Sequence, residues 1–496
     1  MSAEDLPEPA PADDIIQWLT APMSGDLHAQ TEALAQHLDT LHEPGISRAQ
    51  FHRCIELFYS RALQLSGNVR DALRGAQLPL STEWQTSSAR LTASLLQIAE
   101  GFGQVLAEAG RTALRTRGRL NETASARALR LLFEYYIISC QAGREPELLI
   151  WRRAHELYEL SHSENDSAPE ESSPAETSLF NYKRLLALGT LDPHSLSAGE
   201  LDWSAEFITR TCGLLNLQDT APEPLDSTWY WIDLLKGAEP QACARRAPPE
   251  LTRLLFFSSL PLARRASELL SRHEGGRKTP ELERSERLPG VHPASLLSNL
   301  RQRWHAAPKR EYPRRAQSYR IEACVGLAGI WQLLRRGSEA APLSSWEVVN
   351  ESPGGYAIML VRGAGPGLSA GAAVALRRTA EEVWSICVVR WLRSEGPDQI
   401  EMGLQIVSHG AAPVQVGFRN GDVRRAPMVD ALVLPVLPVL RQHQAVLAPA
   451  GTYTSRRFSL VSDVDRLYVA QGRLLSLDMQ TASIELFQFE IDPYPL

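Results

Sequence analysis

Cysteine is scarce in this chain: six in 496 residues, at positions 54, 140, 212, 243, 324 and 387, with no two close in sequence. No CxxC pair exists, which removes zinc ribbons and dithiol redox motifs. Their mostly apolar neighbours mark them as reduced, buried thiols. Long hydrophobic runs are missing too. A membrane helix needs roughly 20 apolar residues, whereas the longest run here, Leu131–Cys140, is broken by Glu134. No basic stretch followed by an apolar core opens the chain, so no secretory signal is expected and the reading is cytoplasmic. No GxSxG, HExxH or Cys-His signature occurs, so the hydrolase classes those motifs announce are not indicated and a non-enzymatic protein is expected. Overall basic charge is absent: 51 Lys+Arg face 58 Asp+Glu, a formal net charge of -7. That balance argues against a general nucleic-acid binder. His28, His37, His42 and His52 fit no ligand spacing on a helix, so no metal is expected.

What is present is ordinary for soluble globular protein, 44% apolar and 22% charged, at a length that suggests about three domains. Residues 1–25 are acidic and Pro-rich and read as a disordered leader. Residues 26–160 carry helical periodicity. Leu27, Leu34, Leu38 and Leu41 share one face, and Ser47 with Gln50 makes a capping box for a helix striped by Phe51, Ile55, Phe58, Ala62 and Leu65. Two further helices fold back around Ala142-Gly143. Residues 161–176 are polar and acidic, a linker. Residues 177–300 form a second helical region, including a helix over Leu251–Leu270 broken near Pro261, with strand character only at Trp229–Leu235. Helical surfaces of this kind commonly bind protein partners.

From Arg301 to Arg320 there are seven Lys or Arg and one acid, Glu311. A local basic segment in an acidic chain asks for an anionic partner. Pro308 and Pro313 disfavour a helix there, so the segment is expected to be an extended, partly flexible arm. Its Arg310 and Arg314 stand four apart, with Arg315 adjacent. Guanidinium groups fork onto phosphate oxygens and stack on flat bases. Beyond Arg320 the period shifts towards two. Short strands are expected at Ile321–Val325, Trp346–Asn350, Tyr356–Arg362, Ala373–Arg377, Trp384–Arg393, Ile400–Ile406 and Val414–Phe418, an antiparallel barrel over 301–417. Gly326–Leu334 interrupts them with helical character. Residues 418–496 continue the strand pattern, including a strand at Asp465–Val469, as a second small barrel or as completion of the first. Gly363-Ala-Gly-Pro-Gly lacks the lysine of a phosphate loop and reads as a hairpin turn. The expected fold is therefore multidomain α+β: a mostly α-helical N-terminal half, a C-terminal antiparallel β-barrel and a further small β region.

A second polar element follows the arm. Asn350-Glu-Ser-Pro-Gly-Gly lies between two strands, and Asn350 and Ser352, two apart, point to one face. Gly355 would permit a close approach or a positive φ. Arg310-x-x-x-Arg314 followed by Asn350-x-Ser352-x-x-Gly355 resembles the paired RxxxR and (D/N)xSxxG signature of PilZ domains, six-stranded barrels that bind cyclic di-GMP. Trp384–Leu392 and Gly403–Ile406 are similar to the later strands of that barrel. The resemblance covers about 310–416. It implies that Arg310 and Arg314 wrap the phosphates and guanines, that Asn350 and Ser352 contact a guanine, and that Gly355 makes the turn. Arg315 or Arg320 could replace a member of the arginine pair. The sequence differs from the family in the 35 residues separating Arg314 from Asn350. The resemblance implies a cyclic di-GMP receptor with no other cofactor, acting on a protein partner through the helical half in motility, pili or exopolysaccharide control. A degenerate barrel serving only as a protein scaffold is the alternative.

Overall fold

The computed structural model describes residues 11–492 apart from 24, 42–45, 110–113, 163–176, 251–252, 278, 280–290, 308–311, 363–366, 397, 419–427 and 464–466. Residues 163–176 of the linker expected at 161–176, whose first two residues end α6, the first ten residues of the leader and most of the Gly363 turn lie outside the described residues. So does Arg310.

The N-terminal half is helical. Helix α1 (Pro11–Thr20) replaces the latter part of the expected leader, because Ile15 and Leu19 form an apolar edge that is buried. Arg61 fastens it by donating to the carbonyls of Trp18 (2.6 Å) and Ala21 (2.7 Å). After α2 (Leu27–Thr40), α3 (Arg48–Leu73) begins with the expected capping box, Ser47 and Gln50 bonding each other's backbone N–H. Its buried stripe continues from Ile55 and Phe58 through Leu65, Val69 and Leu73. Helices α4 (Thr82–Ala109), α5 (Leu114–Gln141), α6 (Leu149–His162), α7 (Ser178–Gly189) and α8 (Ala198–Thr211) complete the bundle. From Ala124 to Ala142, α5 is buried on almost every side, the mark of a central helix. A buried ion-pair network ties three helices together. Arg70 of α3 reaches Glu134 of α5 at 2.8 Å and Asp202 of α8 at 2.6 Å, and Arg74 reaches Asp202 at 2.6 Å.

A small sheet then intervenes, ordered β1 (Leu217–Gln218), β4 (Leu254–Ser258), β2 (Trp229–Asp233), β3 (Gln241–Ala242). Of the helix expected over Leu251–Leu270 and broken near Pro261, Leu254–Ser258 is therefore a strand and the helix begins only at Leu260. Leu254-Leu-Phe-Phe is a short continuous apolar run, and such a run does not distinguish strand from buried helix. Pairing with β2 decides it. Pro261 sits in the first turn of the helix α9 (Leu260–Glu274), where a missing N–H costs nothing. A further helix spans Pro293–His305.

Two closed, six-stranded antiparallel barrels follow. The first comprises β5 (Arg315–Val325), β6 (Ser344–Ser352), β7 (Gly355–Arg362), β8 (Ala373–Arg377), β9 (Ser385–Gly396) and β10 (Gln399–Ser408). The second comprises β11 (Ala412–Phe418), β12 (Val429–Leu434), β13 (Ala445–Pro449), β14 (Arg457–Ser462), β15 (Tyr468–Gln480) and β16 (Ile484–Ile491). The strand at Val414–Phe418, expected in the first barrel, pairs instead with β12 and β14 in the second. The strand expected at Asp465–Val469 is the start of the much longer β15. Numbered in chain order, the strands of both barrels run first, second, third, sixth, fifth, fourth around the closed sheet. The helix Leu327–Arg336, inserted between β5 and β6, wedges between the barrels, and its Trp331 Nε1 donates to the Val414 carbonyl at 2.9 Å. That wedge accounts for the long interval between Arg314 and Asn350.

The interior of the first barrel is continuous with the helical core, joining Trp346, Ile358 and Met402 to Trp304 and Leu78. Leu78 and Leu368 exchange two 2.8 Å backbone hydrogen bonds, and the Ser394 N–H donates to the Gly143 carbonyl at 2.8 Å. Gly143 takes φ +79° at the α5–α6 turn, where a Cβ would lie 2.6 Å from Leu78. Among the described residues, no helix is long and apolar enough to cross a membrane.

Candidate functional site

The arginine segment is structured differently from the arm that the prolines suggested. Arg301 and Arg303 belong to the helix ending at His305, and Arg315 to Arg320 belong to β5. Among the described residues between them, 306–307 and 312–314 are irregular, and Pro308 lies outside the described residues. Pro313 acts locally, and beyond it the backbone N–H and C=O groups are claimed by β6.

That pairing assembles most of the expected residues. Arg315 lies opposite Glu351 and Ala316 opposite Asn350 in the β5–β6 ladder, with a bulge between Ala316 and Tyr319. Arg314 comes immediately before the paired segment, and both arginines are exposed. The connection also touches the β6–β7 hairpin: a Cβ on Gly354 would lie 3.6 Å from the Tyr312 ring. Arg314, Arg315, Asn350 and Ser352 thus gather at one end of the barrel.

The hairpin itself is tightly held. Ser352 pairs with Gly355, leaving Pro353 and Gly354 at the tip. Gly355 serves close approach and has no positive φ: a Cβ there would stand 1.9 Å from the Leu404 carbonyl oxygen of β10. The Ile406 N–H donates to the Gly354 carbonyl at 3.0 Å, pinning the tip from the same side. Ser352 Oγ donates only a long 3.4 Å bond to the Gly355 carbonyl. Asn350 Oδ1 is buried with no hydrogen-bond partner among the described residues. An acceptor in that condition is under-satisfied by a few kcal/mol at most, on the order of 1–3, and is available to a donor on a ligand.

A bulge at Val349 turns Asn350 away from the barrel interior, level with Ala357. Ala357 is opposite Gly403 of β10, and Gly403 is opposite Trp391 of β9. The indole lies directly across Gly403, where a Cβ would meet Nε1 at 1.9 Å. On this face the half-buried Trp391 indole covers Gly403, with buried Ala357 between it and the Asn350 amide. Arg393 sits 5.4 Å from the Trp391 ring centre and pairs with Glu145 of the helical half at 2.7 Å. Sequence reading missed this row because its members lie on four strands and only cross-strand register brings them level.

Glu351 was also missed. Tyr319 Oη donates to its carboxylate at 2.6 Å, and the Arg378 guanidinium lies 4.6 Å from the Tyr319 ring centre. Burial, then the hydrogen bond to Glu351, pushes the Tyr319 phenol well up. The arrangement supplies hydrogen-bond donors and acceptors, cations and an aromatic face, and suits binding of a flat anionic ligand. The histidines have separate partners: His28 binds Ser87, His37 stacks on Trp18, and His52 meets Glu108, while His42 lies outside the described residues.

A closed six-stranded barrel with this strand order, an arginine-bearing connection ahead of its first strand and an Asn-x-Ser-x-x-Gly second hairpin has the features of a PilZ domain, and the chain carries such a domain. Residues 331–413 match the family described as the middle PilZ domain of the cyclic-di-GMP receptor FimW, and residues 13–223 match that receptor's N-terminal domain. The chain is 29% identical over 112 residues to the cyclic-di-GMP receptor FimW of Pseudomonas aeruginosa, covering 23% of this chain and 18% of that relative. It thus spans under a fifth of the length of the curated relative it matches. Asn350, Ser352 and Gly355 fall inside the matched PilZ region, and Arg314 and Arg315 precede it.

Proposed function

We propose that the protein is a non-enzymatic, cytoplasmic receptor for cyclic di-GMP. Its phosphates are held by Arg310, Arg314 and Arg315, and its guanine edges by Asn350 and Ser352. The observation that carries this reading is the β5–β6 register, which sets the arginine-bearing connection against the Asn350–Ser352 hairpin, where Asn350 Oδ1 has no hydrogen-bond partner among the described residues. The half-buried Trp391 indole, lying over Gly403, offers an aromatic face beside it for a base. Ligand binding closes the arginines onto the Asn350–Ser352 hairpin and so alters the contacts which β9 makes with the helical half, and through it a protein partner, with motility, pili or exopolysaccharide as output. Calorimetry with cyclic di-GMP on the full chain tests the reading. Wild type is expected to bind more tightly than about 100 μM, roughly -5.5 kcal/mol, and Arg314→Ala and Ser352→Ala to bind at least tenfold more weakly. Binding weaker than that by wild type would leave a protein scaffold as the better account.

A further inference from the structure

The meeting point of the helical half, the small sheet and both barrels is hollow. A cavity of about 550 Å³ elsewhere in the bundle is mainly apolar, but this one, about 510 Å³, is lined by polar and cationic groups. Its walls include Ser195, Asn299, Gln302 and Arg303, Arg390 of β9, and Thr481 from the β15–β16 turn. The volume lies within the range of small-molecule sites, roughly 300–1,000 Å³.

The charge in this space is unbalanced. Arg303 Nη2 donates to Ser195 Oγ, a neutral partner. Arg390 is exposed along the cavity wall, and no hydrogen bond or ion pair holds its guanidinium among the described residues. Two acids bear on the pair. Asp192 is exposed to solvent, and the Glu200 carboxylate is already bound by the N–H and hydroxyl of Ser197 in the α8 capping box. Arg245 adds a third positive charge acting on Arg303. Burial lowers the proton affinity of Arg303, the neighbouring Arg390 and Arg245 cations lower it further, and Asp192 and Glu200 offset this only in part. Surroundings that penalise two neighbouring guanidiniums favour an anion between them.

We infer that this junction cavity is a second ligand site, taking a compact phosphate-bearing anion between the forks of Arg303 and Arg390. Arginine is suited to the role because its planar donors match the oxygens of a phosphate group. Asn299, Gln302 and Thr481 supply neutral donors around it. An anion there bridges the helical half, the first barrel and the second barrel, and so reports on how the three are assembled. The site lies apart from Asn350 and Ser352, and the connection that starts at Ala306 on its rim ends at Tyr312 on the Gly354 turn.

The test uses inorganic phosphate as probe on the full chain, followed by ³¹P line broadening and calorimetry. Saturable binding with a Kd on the order of 1 mM or tighter is expected for wild type. At least a tenfold loss is expected for Arg390→Gln, and no change for Arg314→Ala. Ala306→Trp, at an exposed position on the rim, is expected to block the cavity with both arginines intact, and carries the test if Arg390→Gln misfolds. Unsaturable binding, or equal binding by wild type and Ala306→Trp, would mean an adventitious ion only and overturn the inference. Loss of phosphate binding in Arg314→Ala but not in Arg390→Gln would assign the phosphate to the barrel face and overturn it equally. Cyclic di-GMP binding retained in Arg390→Gln separates this outcome from failure of the receptor reading.

Discussion

The two barrels share one strand order and differ in almost everything that chemistry needs. In the first, the second hairpin is a two-residue tip carrying Asn350, Ser352 and Gly355, and an arginine-bearing connection leads into the first strand. In the second, the equivalent hairpin is the long Pro435–Gln444 segment, and Ser408-His-Gly-Ala precedes the first strand with no arginine. Their interiors differ as well. The second barrel is filled by Phe418, Phe458, Phe487 and Phe489, with Phe418 and Phe458 ring centres 5.2 Å apart. The first merges its interior with the helical half. The lesson is that topology supplies a platform and a few residues at one hairpin supply the site.

The largest test of this contrast is stability. Trp346 is fully buried in the first barrel, with Nε1 donating to Ser344 Oγ at 2.7 Å, and Phe487 is fully buried in the second. Each truncated to Ala is expected to cost about 3–5 kcal/mol in urea denaturation. Because the seam between the barrels is itself a buried apolar cluster, both variants should unfold in a single transition. Two separated transitions for Phe487→Ala would break the picture of mutually supporting barrels.

A smaller effect depends on pH at the joint between the helical half and the first barrel. His194 is buried there, and burial, then the nearby Arg393 cation, pushes its pKa down to about 4. The unfolded chain takes up a proton near pH 6.5 that the native state refuses. Stability from this group is therefore complete above about pH 6.5 and is lost as the pH falls towards 4, by about 3 kcal/mol in all. Thermal unfolding of His194→Gln across that window should be visibly flatter than wild type. An unchanged slope would remove His194 as the cause.

Two glycines compare the barrels at matched chemistry. A Cβ at Gly355 would strike the Leu404 carbonyl, and one at Gly472 would lie 2.3 Å from the Phe458 ring. Gly355→Ala is expected to displace the hairpin and weaken cyclic di-GMP at least tenfold. Gly472→Ala is expected to lower the melting temperature while leaving affinity within twofold. The smallest effect belongs to Ser352→Ala. Its stability should stay within about 0.5 kcal/mol of wild type, since Ser352 Oγ makes only a 3.4 Å bond. Any larger loss would make the serine structural.

Much of the fold was legible because periodic burial writes itself into local sequence. The α3 stripe and its cap, and the alternating burial around Trp346 and Val348 in the expected strand Trp346–Asn350, follow from neighbours alone. What failed did so for local reasons. Leu254–Ser258 is apolar throughout, so it carries no period, and Pro313 looked like a breaker until β6 supplied the backbone partners that hold Arg315 onward in a strand.

The sequence by itself determined the helical and β halves, the Ser47–Gln50 capping box, and the Asn350-x-Ser352-x-x-Gly355 element, because spacing along one chain fixes which side chains share a face. Only the tertiary structure decided that Val414–Phe418 opens a second closed barrel, that Ala357, Gly403 and Trp391 line up beside Asn350, and that Arg303 and Arg390 face one cavity. Those relations arise from hydrogen-bond register between distant strands and from the packing of separate units, and no local pattern encodes either.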